Sequence, residues 1–363
     1  IRGVSSIDGG GIIKPGETAV IEWFIIPKIS AGGTTPAGVR YNVGAELAGS
    51  IFGQEIAPEI LTVIPDSITV RPEPQLDITY FQPRDVAGDD PFTPDISEAP
   101  IPFTVGVLVE NDGFGQANDV QIASEQPRIV ENEQALTLIA QLIGARVDDE
   151  PLDETSLTVN LGDIPPGSCR KGAWDMITGL SGTFVEFGAR YTHSSELGGR
   201  DTSIIRNLDA HFILHEVKND QPGRDDLKDF LADTLSDDLN QPGAALVPDT
   251  LFESDCSTLP VNPLDVPDSA VSFDGSSVAT VDVDATIENW VFVQVADPGQ
   301  AKLPIERVVR SDGKVLDPNN VWTSVRFTFE GNRRLAFLNI FDFVALGQYT
   351  YRVEYATPPV DTT

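Results

Sequence analysis

The chain has 363 residues, 40% of them hydrophobic, with 56 acidic residues against 24 basic ones and a formal charge of -32. A field of that sign repels nucleic acid and anionic membranes, so a nucleic-acid partner is excluded; it suits plain solubility, high salt or divalent cations. The length allows two or three domains. The 31 glycines and 27 prolines punctuate short apolar runs, a pattern that favours strands and turns over long helices. No apolar run is long enough for a membrane helix, and no signal segment follows Ile1.

Residues 1–75 are expected to form a partial immunoglobulin-like module. Ile13-Lys14-Pro15-Gly16 is followed after six residues by Trp23, and the same spacing returns at Ile164-Pro165-Pro166-Gly167 with Trp174. A Pro-Gly turn feeding a strand that ends in a core Trp suits a β-sandwich. Ala19–Ile26, Gly38–Leu47 and Ile60–Val70 read as strands, and Arg71-Pro72-Glu73-Pro74 as a junction. The first motif starts so early that this module is expected to lack its opening strands and the chain to be a piece of a longer protein.

Residues 76–218 read as a complete module. Leu76–Phe81 opens it, and an acidic, Pro-broken loop runs from Pro83 to Pro102. Phe103, Val105, Val107 and Val109 alternate with Thr104, Gly106, Leu108 and Glu110 in a half-buried strand that ends at the turn Asn111-Asp112-Gly113. Val185–Tyr191 and Ser203–Val217 are further strands.

Residues 219–262 read as an acidic linker. Leu227, Phe230, Leu231, Leu235 and Leu239 fall at helical spacing, with Asp225, Asp226, Asp229, Asp233, Asp237 and Asp238 on the other face. The linker is therefore expected to hold one short amphipathic helix between Pro222-Gly223 and Pro242-Gly243. Residues 263–357 read as a fibronectin- or immunoglobulin-like sandwich. In it Trp290–Ala296 is a central strand, Ser311-Asp312-Gly313-Lys314 a hairpin turn, and Val325–Glu330 and Gln348–Tyr355 alternating strands. Residues 358–363 are a polar tail. The expected fold class is mostly β: tandem immunoglobulin/fibronectin-like β-sandwich domains with one short linker helix.

The run from Val107 to Val120, with its apolar strand, Asn111-Asp112-Gly113 and small-residue stretch, resembles the cell-adhesion-related domain of bacteria. The Pro-Gly-x6-Trp segment is similar to a later strand of the same kind of module. The stretch from Tyr80-Phe81-Gln82-Pro83 to His215-Glu216-Val217 resembles very large secreted or surface proteins. In those, such modules recur in tandem before an acidic linker and a fibronectin-like domain. The resemblance implies an extracellular or cell-surface location and a non-catalytic, architectural role.

Catalytic chemistry finds little purchase. His193, His211 and His215 are the only histidines. His211 and His215 share a strand face but lie about 13 Å apart along it, unlike the helical His-Glu-x-x-His of a zinc protease. No nucleophile elbow, phosphate loop or dinucleotide fingerprint occurs. The chain is expected not to be an enzyme. Cys169 and Cys256, the only cysteines, form one disulfide or remain two thiols. Asp85, Asp89, Asp90, Asp95 and Glu98 are the candidate calcium ligands, against the reading that they are simply solvated. Tyr349, Tyr351 and Tyr355 are core or a glycan platform, and Trp23, Trp174, Trp290 and Trp322 are expected in cores. The expected partners are other copies of the chain or of the same surface assembly, with glycans as a further class and no membrane insertion. The expected function is a segment of a surface layer, stalk or filament; the alternative is an adhesin or carbohydrate-binding surface protein.

Overall fold

The computed structural model of the chain describes residues 2, 5–6, 10–46, 48–57, 64–89, 99–123, 140–183, 204–234, 246–328 and 333–356. The protein is mostly β, and none of its described helices reaches seven residues. It divides into two compact units, Ile1–Glu73 with Thr192–Ile204, and Pro74–Tyr191 with Ile205–Thr363.

In the first unit, β1 (Val39–Val43) pairs antiparallel with β4 (Asp66–Val70), and β2 (Ser50–Ile51) with β3 (Gln54–Glu55). The β2–β3 hairpin turns on Phe52 and Gly53, both at positive φ, the geometry whose twist matches that of paired strands. Ala19–Ile26 departs from expectation. Among the described residues its one ladder contact is the isolated bridge from Val20 to Arg2. Trp23 is therefore not core: it is 66% exposed, and Phe24 and Phe52 are fully exposed. Among the described residues no neighbouring strand gives this apolar run a buried face. Every buried apolar side chain among the described residues lies at Leu76 or beyond.

The second unit begins with β5 (Leu76–Gln82), β6 (Asp85–Val86), β7 (Phe103–Asn111) and β8 (Ala117–Ala123). There follow β9 (Ala140–Val147), β10 (Glu150–Pro151), β11 (Thr158–Ile164), β12 (Ser168–Thr178), β13 (Gly182–Thr183) and β14 (Ile205–Val217). The sheet β10-β9-β12-β7-β5-β14 faces the pair β8–β11. Between them pack Ile78, Val105, Val107, Val109, Ile122, Val159, Leu161, Ile164, Trp174 and Met176. The alternation read in Phe103–Glu110 is this inward face. Asn111 closes the strand. Its amide donates to the carbonyls of Gly115 and Ile164, and its oxygen accepts the N–H of Gln75 and Gly113. The N–H of Gly167 in turn donates to the Asn111 carbonyl at 2.7 Å, so the Asn-Asp-Gly and Pro-Pro-Gly turns lock together. The Val185–Tyr191 strand lies outside the described residues.

The chain continues as β15 (Asp229–Asp233), β16 (Thr250–Phe252) and β17 (Thr258–Leu264). The last seven strands are β18 (Val271–Phe273), β19 (Val278–Ala285), β20 (Asn289–Ala296), β21 (Ile305–Arg310), β22 (Val321–Thr328), β23 (Arg333–Val344) and β24 (Gly347–Tyr355). The sheet β17-β20-β23-β22 faces β18-β19-β24-β21 across Val281, Val283, Val293, Val295, Leu338, Ile340, Tyr351 and Val353.

Among the described residues the expected linker helix is absent, and β15, β16 and β17 are strands of the sheet rather than a linker. All five residues of β15 are buried, and β15 lies between β14 and β16. Phe230 and Ala232 face one apolar cluster, Leu231 the other. A strand covered on both faces loses its two-residue period and reads like a helix. Residues 221–223 form a turn rather than a helix start, with Gly223 at φ 90°. Leu235, Leu239, Asp237 and Asp238 lie outside the described residues.

Candidate functional site: the seam between two sandwiches

The feature that distinguishes the second unit is a single hydrogen-bonded sheet of twelve strands, β10-β9-β12-β7-β5-β14-β15-β16-β17-β20-β23-β22. Strands β14 to β17 and β20 carry the ladder from the first sandwich into the second. The pairs β5–β14 and β17–β20 are parallel, and the other pairings along it antiparallel. Phe81, Leu108, Ile213, Phe230 and Ala232 cover one face of the seam, and Val217, Leu231, Leu251, Val261, Trp290, Phe292 and Phe341 cover the other. Each fully buried side chain of this size contributes about 1.5–3 kcal/mol. Gly106 on β7 is required by this packing: a Cβ there would sit 2.3 Å from the Phe230 ring.

Aromatic contacts reinforce both faces. Phe81 meets Phe230 at 4.5 Å and Phe252 at 4.9 Å, and Trp290 stacks on Phe341 at 4.7 Å. The described histidines belong to the same packing. His211 stacks on Phe252 at 5.1 Å and His215 on Trp322 at 4.3 Å. Burial lowers both, His215 to about 4, because it penalises the charged ring. His193 lies outside the described residues.

The structure joins Cys169 on β12 to Cys256 in the β16–β17 turn, with Cα atoms 5.7 Å apart and a sequence separation of 87. Closing that length of chain stabilises the fold by about 4–5 kcal/mol on loop entropy. Other ties bind the seam to the second sandwich. Asn320 exchanges two hydrogen bonds with the Lys218 backbone, and Lys314 bridges Asp220 and the fully buried Asp342.

Buried charge is concentrated where β9, β12, β14 and β15 meet. Arg146 donates to Asp175, Glu216 and Asp149. The Nζ of Lys171, 1% exposed, lies 2.8 Å from Asp149 Oδ1, 3.0 Å from Glu216 Oε1 and 2.5 Å from the Lys228 carbonyl, with the Phe230 ring at 4.8 Å. Burial alone would raise the Glu216 carboxyl, but Lys171 and Arg146 outweigh it and bring it down to about 2. Nothing in the sequence marks Lys171 as buried: it stands between Arg170 and Gly172-Ala173-Trp174, and the acids it meets are remote in the chain.

Beside this cluster is a 210 Å³ pocket lined by Asn219, Arg224, Asp225, Asp229, Glu253 and Asp255. Acids read as the wet face of a helix are engaged here with protein donors. Asp229 accepts the N–H groups of Asn219 and Ser254, Asp225 the Ser254 hydroxyl, and Glu253 the Asn219 amide. Burial, with Glu253 close by, pushes Asp229 up to about 7. Asp233 accepts the Val247 N–H from within β15.

Two of the five acids considered for calcium are described. Asp85 pairs with Arg84 at 2.9 Å in β6, and Asp89 makes a bridge to Leu180. Asp90, Asp95 and Glu98 lie outside the described residues. Among the described residues no group of three or more His, Cys, Asp or Glu side chains is placed to hold a metal ion. Tyr351 and Tyr355 are buried and donate to Asp342 and Asp297, so the aromatic stripe of β24 is core and not a platform. No protein-family model matches this chain, and none of the curated proteins is detectably similar to it.

Proposed function

We propose that this chain is a non-catalytic, extracellular architectural protein, a segment of a surface layer, stalk or filament built of immunoglobulin-like sandwiches. The observation that carries the reading is the twelve-stranded sheet that runs unbroken through both sandwiches and is clamped at the seam by Cys169–Cys256. A continuous ladder resists bending between modules in a way that a Pro- or Gly-rich linker does not. A disulfide is at home in an oxidising compartment, and the resemblance of Val107–Val120 to the cell-adhesion-related domain of bacteria points the same way. The assembly partner in this reading is another copy of the chain, and Ala19–Ile26 supplies an extended, apolar, unladdered segment for strand addition.

Electron microscopy of the purified chain, with and without calcium, tests it. Ordered fibres or sheets are expected; dispersed rods under both conditions would overturn the assembly reading. Exposed Trp23, Phe24 and Phe52 favour a second reading, adhesion to another surface. Rods that bind a glycan array in a Trp23-dependent manner would establish that one instead.

A further inference from the structure

We propose that Lys171 and Asp149 become joined by an intramolecular isopeptide bond, Nζ to Cγ, with Glu216 as the proton relay. This inference goes beyond the architectural reading and does not depend on it. The two-residue turn between β9 and β10 consists of Asp148 and Asp149 at φ 46° and 64°. A turn of this type favours Asn-Gly, and residues with larger side chains are disfavoured in the left-handed region. The acids earn that position. Asp148 accepts the Lys171 N–H and the Arg170 guanidinium, while Asp149 reaches the Lys171 amine.

The surroundings suit an amide better than an ion pair. Lys171 is almost fully buried against Phe230, where two opposed charges carry a desolvation cost of several kcal/mol each before their attraction is counted. Condensation removes one positive and one negative charge together and leaves Arg146 paired with Asp175 and Glu216. The product would be fully hydrogen-bonded. Asp149 Oδ2 already accepts the Lys228 N–H at 2.6 Å, and Lys171 Nζ already donates to the Lys228 carbonyl at 2.5 Å. One backbone residue thus offers the partner of the amide carbonyl and the partner of the amide N–H.

The step balances without any co-reactant. Glu216, 3.0 Å from Nζ, relays one proton of the Lys171 ammonium to Oδ1 of Asp149, 2.8 Å from Nζ, and the free amine attacks Cγ of the neutral carboxyl. Arg146 and the Lys228 N–H stabilise the charge on the two Asp149 oxygens in the tetrahedral intermediate. The Cγ–Oδ1 bond breaks. Oδ1 departs as water, carrying the relayed proton and a second from the nitrogen, and Glu216 ends as it began. The bond would tie β12 to the tip of the β9–β10 hairpin.

Intact-mass measurement of the denatured, disulfide-reduced full chain decides the matter. The expected mass is lower than that of the sequence by one water, and digestion yields a branched peptide joining the Lys171 and Asp149 segments. Lys171→Arg and Asp149→Ala are expected at full mass. Glu216→Gln is expected to keep the native near-ultraviolet spectrum and to lose the bond. A wild-type chain at full sequence mass, or a water loss mapped to other residues, overturns the proposal. A Glu216→Gln chain that forms the bond at the wild-type rate removes Glu216 from it. The mass of a denatured single chain is indifferent to assembly, so failure here and failure of the architectural reading are told apart.

Discussion

The two copies of the Pro-Gly-x6-Trp segment share their local structure and differ in everything around it. In both, the glycine has positive φ, 81° at Gly16 and 66° at Gly167, and the turn closes with a backbone hydrogen bond, Glu17 to Lys14 at 3.0 Å and Ser168 to Pro165 at 3.2 Å. Beyond the turn the copies part. The second becomes β12, flanked by β7 and β9, with Trp174 at 0% exposure. The first has one bridge among the described residues and leaves Trp23 at 66%. Turn chemistry is local and travels with the sequence; a strand becomes a strand only where its neighbours supply the ladder.

The largest test of that contrast is Trp174→Ala. Removing a fully buried indole leaves a cavity between the two sheets of the first sandwich and is expected to cost about 4 kcal/mol. Chemical denaturation followed by β-sheet circular dichroism measures it. A loss as small as that of a surface residue would mean that the two tryptophans are equivalent and the comparison is wrong.

Asn111→Ala comes next. It strips four hydrogen bonds from buried backbone groups at the point where the Asn-Asp-Gly and Pro-Pro-Gly turns meet, at an expected cost of about 3 kcal/mol. The Asn111 side chain holds the second copy of the motif through the Ile164 carbonyl, to which its amide donates. Hydrogen exchange should therefore rise first at Ser168–Arg170; a uniform rise across β12 would argue against a local latch.

Acid gives a probe of the second unit alone. Asp229 has a folded-state pKa raised to about 7 from 3.8, so its contribution is fully present below 3.8 and is lost as pH rises through 7. His215 runs the other way. Lowered to about 4 from 6.5, it contributes above 6.5 and loses that contribution as pH falls through 4. Asp229→Asn is expected to flatten the rise in melting temperature that otherwise accompanies acidification from pH 8 toward the carboxylate's raised value. An unchanged profile would show that Asp229 does not carry it.

What the sequence made legible follows the same division between local and non-local causes. The strands at Phe103–Asn111 and Gly347–Tyr355 alternate because one face is core and the other is not, and the turns at Asn111-Asp112-Gly113 and Ser311–Lys314 announce themselves through residue type. Strand β15 was illegible as a strand because Phe230 and Leu231 are buried on opposite faces, which erases the period. Its aspartates looked solvated because their partners, Asn219, Ser254 and Val247, come from outside the strand. Lys171 lay in plain sight, but its partners Asp149 and Glu216 are far from it in sequence, and only the sheet brings them together.

Smaller effects sharpen the comparison from its other side. Gly16→Ala and Gly167→Ala each place a Cβ in open space but at positive φ, so both should cost about 1 kcal/mol of local turn stability, equally in the two copies. Hydrogen exchange at Glu17 and Ser168 reads each turn separately, and unequal costs would mean that the turns are not the same device.

Trp23→Ala should be the quietest substitution of all in the isolated chain, within about 0.5 kcal/mol of wild type, because the side chain already stands in solvent. Its value lies in a second readout. If Ala19–Ile26 is completed by a neighbouring copy, the indole is exposed only in the lone chain and becomes buried on assembly. The same substitution that leaves the melting temperature alone should then lengthen the lag, or abolish fibre growth, by microscopy and light scattering. Stability and assembly dissociate at Trp23 and move together at Trp174, since losing the sandwich core removes the module that would assemble. A Trp23→Ala chain that assembles like wild type would leave the first copy of the motif with its turn and nothing for the turn to feed.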